Sequence, residues 1–389
     1  MRAPVSCFAD WLPHNETPYL LNEGCPTETW EEVLAEALPP DPSDSAVTLV
    51  NVGANKGYKI PSFVSLWLPE QERVSPQQWH SAIVRFANEL RANGTFGGGT
   101  LKWVSCGGGC QDCKTPAARS HQRSFAVAVH ALELVPNNAR LVETLANMTG
   151  LGHIVRVHRV AASNTTGTVR LEHTSSTSRF GMEDAAACKS SCRKDAMVIQ
   201  QVTLDQLFDH AGIASARHVS IDTEGWDPLV LEGATRLLRE KRAMTLSFEY
   251  IGRGFWRYPG RPSACHRKPG SVCIPVSERR SLAAVLARLE GFGWDCYIQA
   301  SGGLVPASGP CWRSRFESIG WTNFVCAHDA RVHAVLRSHR ETAPTVERLV
   351  REHKGKHMDF NLKDISRANR KRIIDVWHRR APTDEEAAF

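Results

Sequence analysis

Short runs rich in β-branched residues recur along the chain, separated by longer stretches in which apolar positions return every three or four residues. The first rhythm marks buried strands, the second the helices that cover them. Strands are predicted at Val47–Val52, Phe125–Glu133, Ile154–Ser163, His218–Trp226, Met244–Glu249, Trp294–Gln299 and Ile319–Ala327. Helices are predicted at Thr29–Leu38, Tyr58–Leu68 and Pro76–Arg91, and from Asn137, where Leu141, Leu145 and Met148 share one face and Gly150 supplies the stop. Two more follow: one with Val230, Ala234 and Leu237 on a stripe and Arg239, Lys241 and Arg242 at its end, and one with Leu282, Val285, Leu286 and Leu289 facing inward. Strands alternating with helices imply an α/β fold built on a parallel sheet. Gly167–Leu171 reads as a short antiparallel return.

The pattern breaks most sharply after Val52, where the strand runs into Gly53-Ala54-Asn55-Lys56-Gly57 and then a helix. Gly53 and Gly57 remove Cβ clashes, and the open N–H groups of a helix start face whatever polar group docks there. A nucleotide-type cofactor suits such a turn. The second strand ends in Glu133, and a carboxylate at that place in nucleotide-binding α/β sheets accepts hydrogen bonds from ribose hydroxyls. The fourth strand carries Asp222 and Glu224 at its C-terminal end. Alternation there puts the two on the same side, while a carboxylate capping the helix near Asp227-Pro228 is the structural alternative.

Together these segments resemble the FkbM family of S-adenosylmethionine-dependent methyltransferases. The resemblance rests on Asn51–Tyr58, on His130-Ala131-Leu132-Glu133 with Pro136-Asn137-Asn138, on Ala161-Ala162-Ser163 with Gly167, and on Thr203-Leu204-Asp205. It also rests on Ile221-Asp222-Thr223-Glu224-Gly225, on Leu231-Glu232-Gly233-Ala234 and on Phe248-Glu249. It implies a Rossmann-like class I methyltransferase: a mostly parallel seven-stranded sheet with helices on both faces, a late hairpin, and insertions. S-adenosylmethionine is the implied cofactor, and O-methylation of a hydroxyl on a sugar, glycan or small metabolite the implied reaction. In that reading Asn51, Gly53, Ala54, Asn55 and Gly57 hold the amino-acid end of the cofactor, Glu133 the ribose, and Ala161 and Ala162 line the adenine. Asp222 orients acceptor or cofactor, Glu224 is the candidate base, and Glu249 is a further acceptor-side carboxylate. A divalent metal between paired carboxylates fits the residue types too, although no dedicated ligand set is present. The family usually has an acidic residue where this chain has Asn51, which keeps open a degenerate domain that only binds a partner.

The resemblance covers about residues 47–330, with insertions at about 69–124 and 174–195; residues 1–46 form a Pro-rich extension and 331–389 a basic helical tail. Within the first insertion, Cys106, Cys110 and Cys113 have a spacing that resembles the cluster motif of radical S-adenosylmethionine enzymes, with zinc or disulfides as the other readings. The net charge of +6 is concentrated in the tail, where 14 Lys/Arg face 9 Asp/Glu. That is a solvated helical face or a patch for anionic partners; no aromatic-interleaved basic motif points to sequence-specific nucleic-acid binding. No run reaches the length of a membrane span, and Met1–Asp10 lacks the apolar core of a signal peptide. Twelve cysteines and the sequons at Asn15, Asn93, Asn147 and Asn164 point instead to an oxidising secretory lumen, so the compartment stays open. Nothing in the pattern sets an oligomeric state.

Overall fold

The run Val47–Val52 forms strand β1, buried at every position. The structure is a computed structural model that describes residues 29–40, 46–92, 125–173, 185–187, 197–252, 254–257, 274–300, 303–318 and 321–338. After β1 the strands are β2 (Val127–Leu132), β3 (Val155–His158), β4 (Ala161–Ala162), β5 (Gly167–His173), β6 (Ala185–Ala187) and β7 (Met197–Val202). They continue with β8 (Ala216–Ile221), β9 (Ala243–Ile251), β10 (Asp295–Ala300), β11 (Gly303–Pro306) and β12 (Trp321–Ala327). The helices are α1 (Thr29–Ala37), α2 (Lys59–Val64), α3 (Pro76–Ala92), α4 (Pro136–Met148), α5 (Leu204–His210), α6 (Asp227–Glu232), α7 (Thr235–Arg239), α8 (Leu282–Gly291) and α9 (Ala330–Ser338).

The fold is mixed α/β around one large sheet of order β11-β10-β12-β9-β8-β1-β2-β3. Neighbours from β3 to β9 pair in parallel, and β12, β10 and β11 add antiparallel. The sheet has eight strands, one more than the resemblance implies. The extra strand, β11, pairs Gly303–Pro306 with Ala300–Tyr297 at the sheet edge. Four residues bounded by Gly and Pro give too weak a pattern to read as a strand, and an edge tolerates the missing proline N–H.

Two predicted elements split. Ile154–Ser163 is two strands, because Val160 N donates back to His158 O at 3.0 Å and turns the chain out of the main sheet. β4 then pairs with β7 in a second, four-stranded sheet of order β4-β7-β5-β6, where β5 is the antiparallel return. The helix after the fourth strand also breaks, between α6 and α7. Gly233 packs so closely there that a Cβ would lie 2.0 Å from Ser163 O. The Asp205 carboxylate accepts from Arg236 N at 2.9 Å and Leu237 N at 2.8 Å, capping α7 from a different element. Two of the family-like motifs, Thr203-Leu204-Asp205 and Leu231-Glu232-Gly233-Ala234, therefore meet for structural reasons.

Alternation along β1 divides its side chains between two apolar clusters. Val50 and Val52 pack with Phe208, Val230, Leu237 and Leu286 from α5 to α8. Val47 and Leu49 pack with Phe63, Trp79 and Leu141 from α2, α3 and α4. Each such side chain contributes about 1.5–3 kcal/mol on burial. A third cluster joins Trp30 and Leu34 of α1 to Tyr297, Val325, Val332 and Leu336. The expected tail thus begins inside α9, which packs on α1; the compact unit ends at Arg340.

Candidate active site

The glycine turn after β1 is held from both neighbouring strands. Gly53 N and Ala54 N both donate to Leu132 O, at 2.9 and 3.0 Å, and Asp222 N donates to Val52 O at 2.9 Å. Gly53 has φ 79°, and a Cβ on it would lie 1.8 Å from Asp222 O. Its lack of a side chain lets the turn close against the end of β8. Gly57, at φ 77°, makes room in the same way for Trp79, whose ring would lie 2.8 Å from a Cβ there. Trp79 Nε1 in turn donates to Lys56 O at 2.7 Å. Both glycines make room for close packing within the protein. Asn51 is buried in β1, in register with Ala131 and Ser220.

Glu133, just past β2, ties two loops together. Its Oε2 accepts from Asn55 N at 2.7 Å and its Oε1 from Val135 N at 2.8 Å. Burial pushes its carboxyl up to about 7, against the pull of these amides, the Leu134 amide and the Asn138 side chain. Asn138 is a contact that sequence reading passed over as a helix residue. Ala161 and Ala162, the expected adenine wall, sit half-buried in the second sheet as β4.

The strand carrying the acidic block ends at Ile221, so alternation does not extend to Glu224. That residue has φ 57°, a left-handed conformation uncommon for a side chain of this kind. The argument that placed Asp222 and Glu224 on one side therefore fails. Asp222 is exposed and Glu224 half-buried with its Oε2 fully covered. The carboxylate that closes the site is Asp227, the first residue of α6. It is completely buried, and its Oδ2 accepts from Thr223 Oγ1 at 2.9 Å and Gly225 N at 3.2 Å. Its Oδ1 accepts from Glu249 N at 3.1 Å. Burial, then the charge of Asp222, pushes Asp227 up to about 7. The sequence signal was there, an acid directly before a helix-starting proline, but it reads as an ordinary helix start.

Glu249, near the end of β9, is buried beside this loop. Trp321 Nε1 of β12 donates to its Oε1, while Oε2 is fully buried without a partner. Burial, Asp222 and Asp227 together hold Glu249 well above the usual carboxylate range. The segment 254–256 lies against the same loop: Phe255 N donates to Gly225 O at 2.8 Å, and a Cβ on Gly254 would lie 2.5 Å from that oxygen. Tyr250 and Trp256 are core residues, and Phe255 packs edge-on to Trp226 at 4.8 Å. Among the described residues no group of three or more His, Cys, Asp or Glu side chains is set to hold a metal ion, and no helix is long and apolar enough to cross a membrane. Cys106, Cys110 and Cys113, the loops with Cys188 and Cys192, and the basic tail beyond residue 338 lie outside the described residues.

Residues 106–261 match the model of the methyltransferase FkbM domain. Over that span, about two fifths of the chain, the protein is similar to a methyltransferase FkbM domain. The matched span takes in Glu133, Asp222, Asp227 and Glu249, whereas the glycine turn precedes it. Among solved structures, methyltransferase FkbM from Methylobacillus flagellatus KT is similar at 14% identity, over 60% of this chain and 39% of that one, with a TM-score of 0.29. The chain therefore spans about two fifths of that protein's length. The [4+2]-cyclase SpnF is similar at 11% identity, over 77% of this chain and 78% of that one, with a TM-score of 0.27. No curated protein matches the chain.

Proposed function

We propose that this FkbM-like domain is a Rossmann-like class I methyltransferase that uses S-adenosylmethionine to O-methylate a hydroxyl on a sugar, glycan or small metabolite. The observation that carries the reading is Glu249: a buried carboxylate with a raised pKa, one strand away from the contact between the glycine turn and Asp222. A raised pKa makes a carboxylate a stronger base toward an acceptor hydroxyl.

The residues fit the cofactor. Glu133, held by the Asn55 and Val135 amides, is the carboxylate that would meet a ribose hydroxyl, and a buried carboxylate gains from such a donor. Asn51, Gly53, Ala54, Asn55 and Gly57 border the amino-acid end, and Ala161 and Ala162 lie toward the adenine side. When bound, S-adenosylmethionine supplies an electrophilic methyl group. The chain's own part is to position the acceptor oxygen in line with it and to remove the acceptor's proton. Glu249 takes that proton while Trp321 holds its Oε1 in place. Asp227 fixes the Glu249 backbone and the Gly225 turn. Asp222, exposed just past β8, orients the acceptor, and Glu224 lies in the same loop.

Calorimetric titration with S-adenosylhomocysteine tests the cofactor, and a hydroxyl-acceptor screen tests the chemistry. Wild type should bind, Glu133→Ala should not, and Glu249→Gln should bind normally yet transfer methyl groups 10²–10⁴-fold more slowly, the range for losing a general base (about 3–5 kcal/mol). A folded wild type that does not bind sinks the reading. Full activity in Glu249→Gln removes Glu249 from the base role.

A further inference from the structure

We propose that Asn147 carries an N-linked glycan and that the sequon at Asn164 stays bare in the folded protein. Two independent observations support the first half. Asn147-Met148-Thr149 ends helix α4, where Asn147 is exposed. Its Oδ1 lies over Gly152, 2.1 Å from where a Cβ would sit, so the amide oxygen is on the Gly152 side and Nδ2 turns away from that contact. Nδ2 is the atom a glycan takes. Separately, the cysteines indicate the compartment in which such a modification occurs. Cys296 and Cys326, directly opposite each other on β10 and β12, form a disulfide in the core. Cys311 is disulfide-bonded as well, and there is no free cysteine among the described residues. Buried cross-strand disulfides form and persist in oxidising compartments.

Asn164 has the same motif and the opposite surroundings. It is half-buried, and its Nδ2 donates to Glu232 Oε2 at 2.8 Å, while Glu232 also pairs with Arg280. The next residue, Thr165, accepts from Gln201 Nε2 at both its carbonyl and its hydroxyl, at 3.1 and 2.8 Å. Gly233 closes on the Ser163–Asn164 backbone with no room for even a methyl group. A sugar on Asn164 would replace one Nδ2 hydrogen and crowd the Glu232–Arg280 pair and the Gly233 contact, so a chain modified there does not reach the native packing. Asn147 imposes no such cost.

The covalent step needs a lipid-diphosphate-linked oligosaccharide as donor. The Asn147 amide nitrogen forms a bond to the sugar's anomeric carbon as that carbon's bond to the diphosphate oxygen breaks, and the amide proton leaves with the lipid diphosphate. This inference does not depend on the methyltransferase reading.

The test is peptide mapping of the native, folded chain purified from its source cells, before and after peptide-N-glycosidase digestion in heavy-oxygen water. We expect the enzyme to convert Asn147 to isotope-labelled aspartate and to leave Asn164 unchanged. Thr149→Ala, which removes the sequon but keeps the asparagine, should abolish the labelling. An unmodified Asn147 peptide from native chain overturns the proposal, as does a glycan on Asn164 in folded protein.

Discussion

At the scale of single residues, two glycines separate strain from contact. Gly53 and Gly150 have nearly the same φ, 79° and 80°, but a Cβ on Gly53 meets Asp222 O at 1.8 Å, whereas one on Gly150 meets nothing within 4 Å. Gly150→Ala should therefore cost only the left-handed strain, about 1–2 kcal/mol. Gly53→Ala adds a collision with backbone and should cost at least about 4 kcal/mol or prevent folding. Urea unfolding of the two variants checks the difference, and equal losses would mean that the turn yields. Glu133 gives a second prediction. Its carboxyl is raised from 4.5 to about 7 in the folded state, so between those pH values the folded chain binds more protons than the unfolded one. Its contribution to stability is largest below pH 4.5 and is lost as pH rises through about 7. Glu133→Gln should shrink the change in unfolding free energy between pH 8 and pH 5 by up to about 3 kcal/mol relative to wild type. An unchanged pH dependence would show that Glu133 titrates normally.

At the scale of elements, strands and covering helices were legible because period-2 and period-3.6 patterns follow directly from which face each residue buries. What alternation does not reveal is a polar face inside the sheet. His218 and Ser220 on β8 stand in register with Thr245 and Ser247 on β9, all in the interior strands. These groups satisfy one another. Thr245 Oγ1 donates to Arg217 O at 3.0 Å, so its oxygen accepts from His218 Nδ1 at 2.9 Å, leaving Nε2 to accept from Ser247 at 3.0 Å. Burial, then Lys59, holds His218 well below its usual pKa, which keeps it neutral in that tautomer. From α1, Glu31 reaches into this column: its Oε1 is 2.6 Å from Lys59 Nζ and 3.6 Å from His218 Nε2. A helix in the segment before β1 is thus fastened to the helix after the glycine turn. Glu31→Ala should cost about 3 kcal/mol by leaving buried charge on Lys59 poorly compensated, and Glu31→Gln distinctly less. A loss below about 1 kcal/mol for Glu31→Ala in chemical denaturation would mean that water replaces the carboxylate.

At the scale of the whole molecule, the candidate site's main parts could be read in order because β2, β1, β8 and β9 are neighbours in the sheet, and residues at or just past their C-terminal ends gather at one edge. Glu133, Gly53, Asp222 and Glu249 follow from that order alone. Trp321 does not, since it reaches Glu249 from the N-terminal end of an antiparallel strand, and knowing which end arrives requires the topology. Asp227 does not either, because its role depends on a loop folding back over it. Residues from Gly53 to Trp321 therefore belong to one constellation, and the main sheet that joins them spans nearly the whole described chain. If the proposed cofactor site is correct, a ligand held there stabilises all of these strands together. At one hundred times its dissociation constant, S-adenosylhomocysteine should add about 2.7 kcal/mol to the unfolding free energy. The whole unit should unfold in a single transition that moves with ligand, measured in parallel by tryptophan fluorescence and far-ultraviolet circular dichroism. Two transitions, only one of them ligand-sensitive, would mean that the antiparallel strands β12, β10 and β11 fold apart from the cofactor half. Glu249 would then meet Trp321 only after the halves dock.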